Sequence, residues 1–432
     1  MHPNIRRKTF AALSAAVGTL LMGGFSAHAQ LNTSSTSSTN KLEQENQELR
    51  KRLDNMESIL EKAGLKPSNG GMAADPPVNA LTDVTLSGFV STSYFYDVAS
   101  SKDGTPNGYL WDRNLNSFTI NKIKLTLASP VPDKDKWSAA YRASFIWGSD
   151  APFVDTGSLG IPGFSWLREA YVELNIPIGT GLDIKAGELI SLLNYESGDG
   201  GAANDNFSQG YQWYNTGNPP DGAVRAAYDF NDMFGIKLSL QNGLYAGPVG
   251  IGAKTFLGGF YVHPDKVTSL AFLGFVGPQF GHVDLAGASF IGSRQLMESH
   301  NVTIGTEADY FNFANANPGS IGAANDGAYW SAGAWLGADL TDKVRVALRG
   351  EYLGDPTGFM SGFVNTPSGW PGALYGFGHG QDLESVTLTL DYKPVATIKI
   401  QPEIRWNHSN NGLTFGLKRD QIIAGMGVSY LS

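Results

Sequence analysis

The stretch WSAAYRASFIW, residues 137–147, decides how the fold is interpreted. Its odd positions, from Trp137 to Trp147, are aromatic or alanine, and its even positions are mostly small or charged, with Arg142 in the middle. A period of two residues is typical of a β-strand whose two faces meet different surroundings. Aromatic residues at the ends of the apolar face match the girdles of a transmembrane β-barrel, and the small, charged face matches a wet lumen.

The same alternation recurs along the chain, with charges on one face and apolar residues on the other, which favours a barrel over a soluble sandwich. Short polar turns alternate with longer connections, and this order identifies fifteen strands directly. A sixteenth strand near residues 283–293 is required if all the short turns are to lie at the same end of the barrel. The sequence therefore predicts an all-β fold, a transmembrane antiparallel β-barrel of about 16 strands over residues 82–432, preceded by a short coiled-coil helix. Recurrent alternation is found at 169–176, 234–241, 330–340, 344–352, 385–392 and 398–406.

Composition narrows the function classes. The 432 residues include 53 Gly and no Cys, and the mean hydropathy is −0.17. The absence of Cys excludes a disulfide scaffold, a thiolate metal site and a cysteine nucleophile. No apolar run near 20 residues follows the N-terminus, which excludes a polytopic helical membrane protein. The formal net charge of −9 falls to −12 without the first 29 residues, and this excludes a nucleic-acid partner.

The N-terminus predicts export. Residues 1–29 combine a basic cluster at Arg6–Lys8, an apolar run and an Ala27-His28-Ala29 cleavage site, as in a secretory signal peptide. An exported chain without cysteine suits a Gram-negative envelope. We expect a barrel in the lipid of the outer membrane and an N-terminal segment in the periplasm.

Two linkers flank a candidate oligomerisation helix. Residues 30–39 and 65–81 are rich in small and turn-forming residues, and residues 40–64 form three heptads. The pattern predicts a periplasmic coiled coil that stays paired within a tethered oligomer, although a solvated single amphipathic helix has the same spacing. Its a and d positions are Leu42, Asn46, Leu49, Leu53, Met56 and Leu60.

Four short segments carry a family resemblance. Residues 88–94, 168–172, 184–188 and 206–208 resemble the putative β-barrel porin-2 (OmpL-like) family over roughly residues 82–432. The resemblance implies an outer-membrane porin, with no catalytic motif. The heptad helix is similar in placement to that of trimeric DcaP-like porins, and this likeness implies a homotrimer.

A pore constriction is predicted where the connection at about 190–220 follows the fifth strand. Glycines at 198, 200 and 201 allow an inward turn, and aromatic residues of the loop can pack it on the wall. Loop acids facing wall bases would create a transverse field across the lumen. Solvated loop acids, and bases paired with neighbouring wall carboxylates, are the alternatives. The predicted constriction residues are Glu196, Asp199, Asp205, Asp221, Arg142, Lys185, Arg225, Arg345, Arg349 and Arg405.

These observations predict a porin for passive diffusion of small hydrophilic solutes or ions. A structural or adhesive barrel that tethers the outer membrane to the cell wall through the coiled coil is the alternative. An enzyme is disfavoured because the sequence shows no catalytic constellation, no metal-ligand spacing and no cofactor motif. The acidic loop favours cations and the lumenal arginines favour anions, so the preference between them stays open.

Overall fold

The structure is a computed structural model. It describes residues 47, 48, 51 and 83–432, apart from 99–110, 113, 156–164, 218–219, 245–251, 253, 279–282, 315–325, 359–379, 413 and 416–417. Residues 47, 48 and 51 are helical. The predicted signal peptide, both linkers and all six heptad residues named above lie outside the described residues, so those predictions stay predictions.

Sixteen antiparallel strands close into one barrel, in which each strand pairs with its neighbours in the sequence. This confirms the predicted fold class, and the sixteenth strand expected near 283–293 is β10. The strands are β1 Thr85–Asp97, β2 Ser117–Ala128, β3 Ser138–Trp147, β4 Leu167–Ile176, β5 Leu182–Leu189, β6 Asp221–Asp229, β7 Phe234–Gln241, β8 Thr255–Val262, β9 Thr268–Pro278, β10 Asp284–Met297, β11 Val302–Ala314, β12 Gly327–Thr341, β13 Val344–Asp355, β14 Gln381–Val395, β15 Ile398–Ser409 and β16 Asp420–Leu431.

The barrel closes between its first and last strands. β1 pairs antiparallel with β16, with Ser91 opposite Ser429 and their hydroxyls 2.7 Å apart on the inner face. The backbone of Ser432 exchanges two hydrogen bonds with Gly88, at 3.0 and 3.3 Å. Closure leaves no unpaired strand edge, as the lipid environment requires.

The two faces of each strand differ as the sequence predicts. In β3 and just before it, Trp137 and Tyr141 point outward with exposures of 65% and 39%, whereas Ser144 and Ile146 point inward and are buried. An exposed apolar outer face is suited to lipid. The inner face of the barrel is largely buried because part of the same chain folds back into the lumen.

The connections at the two barrel ends differ in length. Short connections, such as 177–181, 342–343 and 396–397, predominate at one end and long ones at the other. The exceptions are 129–137, nine residues at the first end, and 279–283, five residues at the second. Two long connections carry short helices, α1 (Ala151–Val154) and α2 (Tyr211–Asn215). Within the described residues, no helix has the length and apolar character needed to cross a membrane.

Candidate functional site: a lumen narrowed by its third long loop

The third long connection, residues 190–220 and hereafter L3, folds into the barrel. It contains a 3-10 turn, Gly200–Ala202, and α2. The turn contacts β16 and β1, and α2 contacts β12 and β13. Of the three glycines predicted to turn the loop inward, only Gly200 has a positive φ, of 66°. L3 therefore lies against one side of the lumen wall.

Arg349 on β13 holds the centre of L3. Its Nη1 donates to Glu196 Oε1 at 2.6 Å and to the Ser208 carbonyl at 2.6 Å. The Trp335 indole donates to the same Glu196 oxygen at 3.1 Å. The Arg349 and Glu196 side chains are 0% and 3% exposed, so this pair is a buried, charge-assisted contact.

The two other predicted loop acids also reach wall cations. Lys124 Nζ lies 2.6 Å from Asp199 Oδ2, and Arg345 Nε lies 2.9 Å from Asp205 Oδ2. All three L3 acids therefore form direct ion pairs. The loop acids and the wall bases therefore touch each other, instead of facing each other across open space, and they hold the loop on the wall.

Wall carboxylates bind the loop backbone in return. Glu403 accepts from the Phe207 N–H at 2.8 Å, Glu351 from the Gln212 N–H at 3.0 Å, and Glu307 from the Tyr195 N–H at 2.7 Å. These bonds satisfy amides that the loop's irregular backbone leaves unpaired inside the barrel. The wall thus supplies both donors and acceptors to L3.

Glycines on the loop and on the wall make these contacts possible. A Cβ at Gly210 would overlap the Glu351 carboxylate, and one at Gly427 on β16 would overlap the Phe207 ring. Phe207 also stacks on Phe95 of β1, with ring centroids 5.7 Å apart. The Phe207 ring therefore packs against a wall position, Gly427, that has no side chain.

The inner faces of β3–β8 form the uncovered side of the lumen. Three of their inward charged side chains remain partly exposed, at 36% for Arg142, 28% for Lys185 and 30% for Asp183, whereas Glu169, Glu188 and Asp221 are buried. Arg142 pairs with Glu169 at 2.6 Å, and Lys185 lies 3.4 Å from Glu173. This side of the lumen wall therefore carries ion pairs that L3 does not cover.

The predicted constriction residues separate into three groups. Glu196, Asp199, Asp205, Arg345 and Arg349 come together at L3. At the edges of L3, Arg405 lies 4.8 Å from the centre of the Tyr211 ring of α2, Arg225 donates to the carbonyl of Ile190, the first residue of L3, at 2.9 Å, and Asp221 bonds Gln241 at 2.9 Å. Arg142 and Lys185 lie on the uncovered side. The prediction of a constriction built from this whole group stays a prediction.

Sequence reasoning missed the wall residues that bind L3 through β2 and β15. Lys122 and Lys124 lie on one strand at a spacing of two, the inward alternation that selected other bases. Lys122 donates to Gln209 at 3.1 Å, and Lys399 donates to the Asn204 carbonyl at 2.9 Å. The alternation signal was present, but no local pattern indicates which loop residue a wall lysine meets.

Other chemistry is sparse in the part of the chain that the structure describes. No three His, Asp or Glu side chains there group as metal ligands. His408 Nδ1 lies 2.9 Å from Asp420 Oδ1, a pair between neighbouring strands near the long-loop end. Among the described residues, the candidate functional groups are therefore those of L3 and the lumen wall.

The barrel matches one family over nearly its full length. The model of the family described as putative beta-barrel porin-2, OmpL-like matches residues 83–430. No curated relative matches the sequence.

Solved porins share the fold at low sequence identity. The outer membrane channel DcaP of Acinetobacter baumannii is similar with a TM-score of 0.50 and 13% identity, covering 81% of this chain and 97% of its own. The anion-selective porin from Comamonas acidovorans has a TM-score of 0.53 and 10% identity, covering 81% and 99%. OprB of Pseudomonas putida, in a high-pH structure, has a TM-score of 0.54 and 11% identity, covering 82% and 96%.

Proposed function

The chain belongs to the putative beta-barrel porin-2, OmpL-like family and is an outer-membrane porin, and we propose that L3 sets the width of its passive diffusion pathway. The solutes are small and hydrophilic. They pass between the inner edge of L3 and the uncovered wall of β3–β8. Family membership and the closed sixteen-stranded barrel support the channel, and the loop contacts support the constriction.

One observation carries the proposal: L3 covers one side of the wall and leaves the other partly exposed. Arg349 on the covered side is 0% exposed, whereas the Arg142 side chain on the other side is 36% exposed. A loop that filled the lumen would bury both. The part-exposed charges line a wet path whose width the fastened loop limits.

Orientation and assembly follow from the same reasoning. Barrel turns on the periplasmic side are short, so the end with the short turns faces the periplasm and both barrel termini lie there. The helix predicted over residues 40–64 then lies in the periplasm and holds three chains together. Its heptad spacing supports this assembly.

Single-channel recording tests the channel. The mature chain, from residue 30, is refolded and inserted in a planar bilayer under symmetric salt. We expect stepwise ohmic currents, arriving in groups of three for a trimer. A barrel that shows the heat-shifted gel mobility of a folded porin but carries no current would overturn the proposal.

A variant of L3 tests the constriction separately. Glu196→Gln removes one partner of the buried pair with Arg349, and we expect L3 to loosen and conductance to rise. Asp232→Asn, on an exposed short turn, is the matched control because it removes the same charge away from L3. Equal conductance in both variants would contradict the constriction.

A further inference from the structure

We propose that three cations on consecutive strands of the uncovered wall form a binding site for small oxyanions, carboxylates or phosphates. Lys185, Arg225 and Lys237 lie on β5, β6 and β7, and Tyr171 on β4 and Tyr261 on β8 flank them. The inference rests on the proposed pathway through this side of the lumen. It names the class of solute that the pathway favours.

The strand register brings the five side chains together. Lys185 is directly opposite Arg225, and Arg225 is diagonal to Lys237, which is opposite Ala227. Residues directly opposite on neighbouring strands have Cβ atoms about 5 Å apart, and like charges there are destabilising. A barrel that places two cations in this position gains nothing for its own stability. The placement fits a ligand that supplies the missing negative charge.

The cations differ in how far carboxylates neutralise them. Lys185 lies 3.4 Å from Glu173 and 3.9 Å from Asp183. Among the described residues, Lys237 has no carboxylate within ion-pair distance, and its Nζ lies 4.2 Å from the centre of the Tyr261 ring. Arg225 donates to the Ile190 carbonyl, and no carboxylate among the described residues lies within ion-pair distance of it. Two of the three cations therefore lack a direct ion pair.

Unused hydrogen-bond donors accompany these charges. Arg225 Nε and the Ser239 hydroxyl, on directly opposite residues, are both buried without a partner among the described residues. The small side chains of Ala223 and Ala227 leave room for a ligand beside Arg225. A planar guanidinium with free N–H groups binds carboxylate and phosphate oxygens in two-point fashion.

The surrounding charges do not cancel the site. Arg142 is neutralised by Glu169 at 2.6 Å, and Asp229 pairs with Lys134 at the short-turn rim at 3.2 Å. The L3 acid nearest this side, Asp199, is bound to Lys124 at 2.6 Å. Among the described residues, Glu173 and Asp183 are the carboxylates within ion-pair distance of the three cations, which exceed these two acids by one. A confined excess of charge of one sign concentrates counter-ions.

The test compares two double variants. Arg225→Gln with Lys237→Gln removes the two cations that lack a direct ion pair with a described residue, and Lys254→Gln with Lys266→Gln removes two exposed cations outside the lumen. Binding of inorganic phosphate and of acetate to the folded, detergent-solubilised barrel is measured by titration calorimetry. We expect affinity to fall roughly tenfold or more in the first variant, as for lost hydrogen bonds between charged groups, and to stay unchanged in the second. The stronger of the two probes identifies the oxyanion class.

Channel recordings give a second reading. Under a salt gradient, the wild-type reversal potential should show anion preference, which the first double variant reduces and the control keeps. Calorimetry does not require current, so a barrel that binds oxyanions without conducting would contradict the proposed function alone. Equal affinity and equal reversal potential in wild type and the first variant would overturn the site. Lys237→Gln alone, which breaks no ion pair, replaces the double variant if the latter fails to fold.

Discussion

The two sides of the lumen wall carry the same kinds of residue and use them differently. On the side covered by L3, the inward Arg349 and Arg405 are 0% and 1% exposed and contact buried carboxylates. On the uncovered side, the Arg142 and Lys185 side chains keep about a third of their surface exposed, at 36% and 28%. An inward cation is therefore either buried beneath the loop or partly exposed to the lumen, depending on whether the loop lies over it. We call the side covered by L3, which carries Arg349 and Arg405, the latched wall. We call the uncovered side, formed by the inner faces of β3–β8, the open wall.

Removing the central anchor should produce the largest difference between the two walls. Arg349→Met leaves Glu196 and Glu351 buried with less compensation, and we expect a loss of roughly 3–5 kcal/mol in the free energy of unfolding. The loop should also detach, which raises single-channel conductance. Urea unfolding in lipid vesicles and planar-bilayer recording measure the two effects.

A double variant and an exposed pair control this prediction. Arg349→Met with Glu196→Gln should recover part of the loss because one stranded charge is removed. Arg294→Met breaks an exposed pair with Asp265, whose side chains are 50% and 42% exposed, and should cost at most about 1 kcal/mol. Equal losses for Arg349→Met and Arg294→Met would remove the basis for a latched wall.

Filling the glycine position against which Phe207 packs should have the next largest effect. Gly427→Leu places a side chain where the Phe207 ring lies, and overpacking of this kind costs about 1–3 kcal/mol. Gly350→Leu is the matched control on β13, because a Cβ there meets nothing within 4 Å. We expect L3 to become accessible to protease in the first variant only. If both variants are cleaved alike, the glycine does not seat the loop.

A buried carboxyl near the latched wall should make stability depend on pH. Asp112, in the first long connection, is 5% exposed; burial raises its pKa well above the usual value, and the charges of Glu403 and Asp150 raise it further. Its contribution is fully present below the unfolded-state pKa of about 4 and is lost as pH rises through the raised folded-state pKa. Asp112→Asn should stabilise the barrel at pH 8 by about 1–2 kcal/mol and leave it little changed at pH 3.

Asparagine is a suitable replacement because Asp112 has a φ of 56°, a region that asparagine also adopts. Unfolding curves at the two pH values give the comparison. A stabilisation of the same size at both would show that ionisation of Asp112 is not its cause.

The smallest effect is expected on the open wall. Lys237→Gln breaks no ion pair with a described residue and should change the free energy of unfolding by no more than about 0.5 kcal/mol. Its effect should appear in ion selectivity instead. A stability loss above about 2 kcal/mol would show that the open wall, like the latched wall, holds the barrel together.

The fold could be predicted from the sequence because each strand carries its own evidence. The alternation in 137–147 assigns the two faces of β3 without knowledge of any partner strand. The requirement that all short turns lie at one end of the barrel located β10, although the alternation within β10 is weak. The family and the porin function were predicted from short motifs and are confirmed by the family match.

The site was harder to predict because its contacts join distant positions. Glu196 and Arg349 are separated by 153 residues, and Glu403 meets a backbone amide 196 residues away. Periodicity places a side chain on the inner face but does not indicate which part of a loop covers it. Lys122, Lys124 and Lys237 were therefore overlooked, although their alternation was visible.

L3 also bridges the seam where the barrel closes. It contacts Lys122 and Phe95 on one flank of the β1–β16 junction and Gly427 and Glu403 on the other. That junction joins residues 338 positions apart, which makes its formation entropically costly and slow. The loop that we propose to limit permeability thus also holds together the strands at which the barrel closes. Evolution of a wider channel through loss of this loop would weaken the same joint on which assembly of the barrel depends.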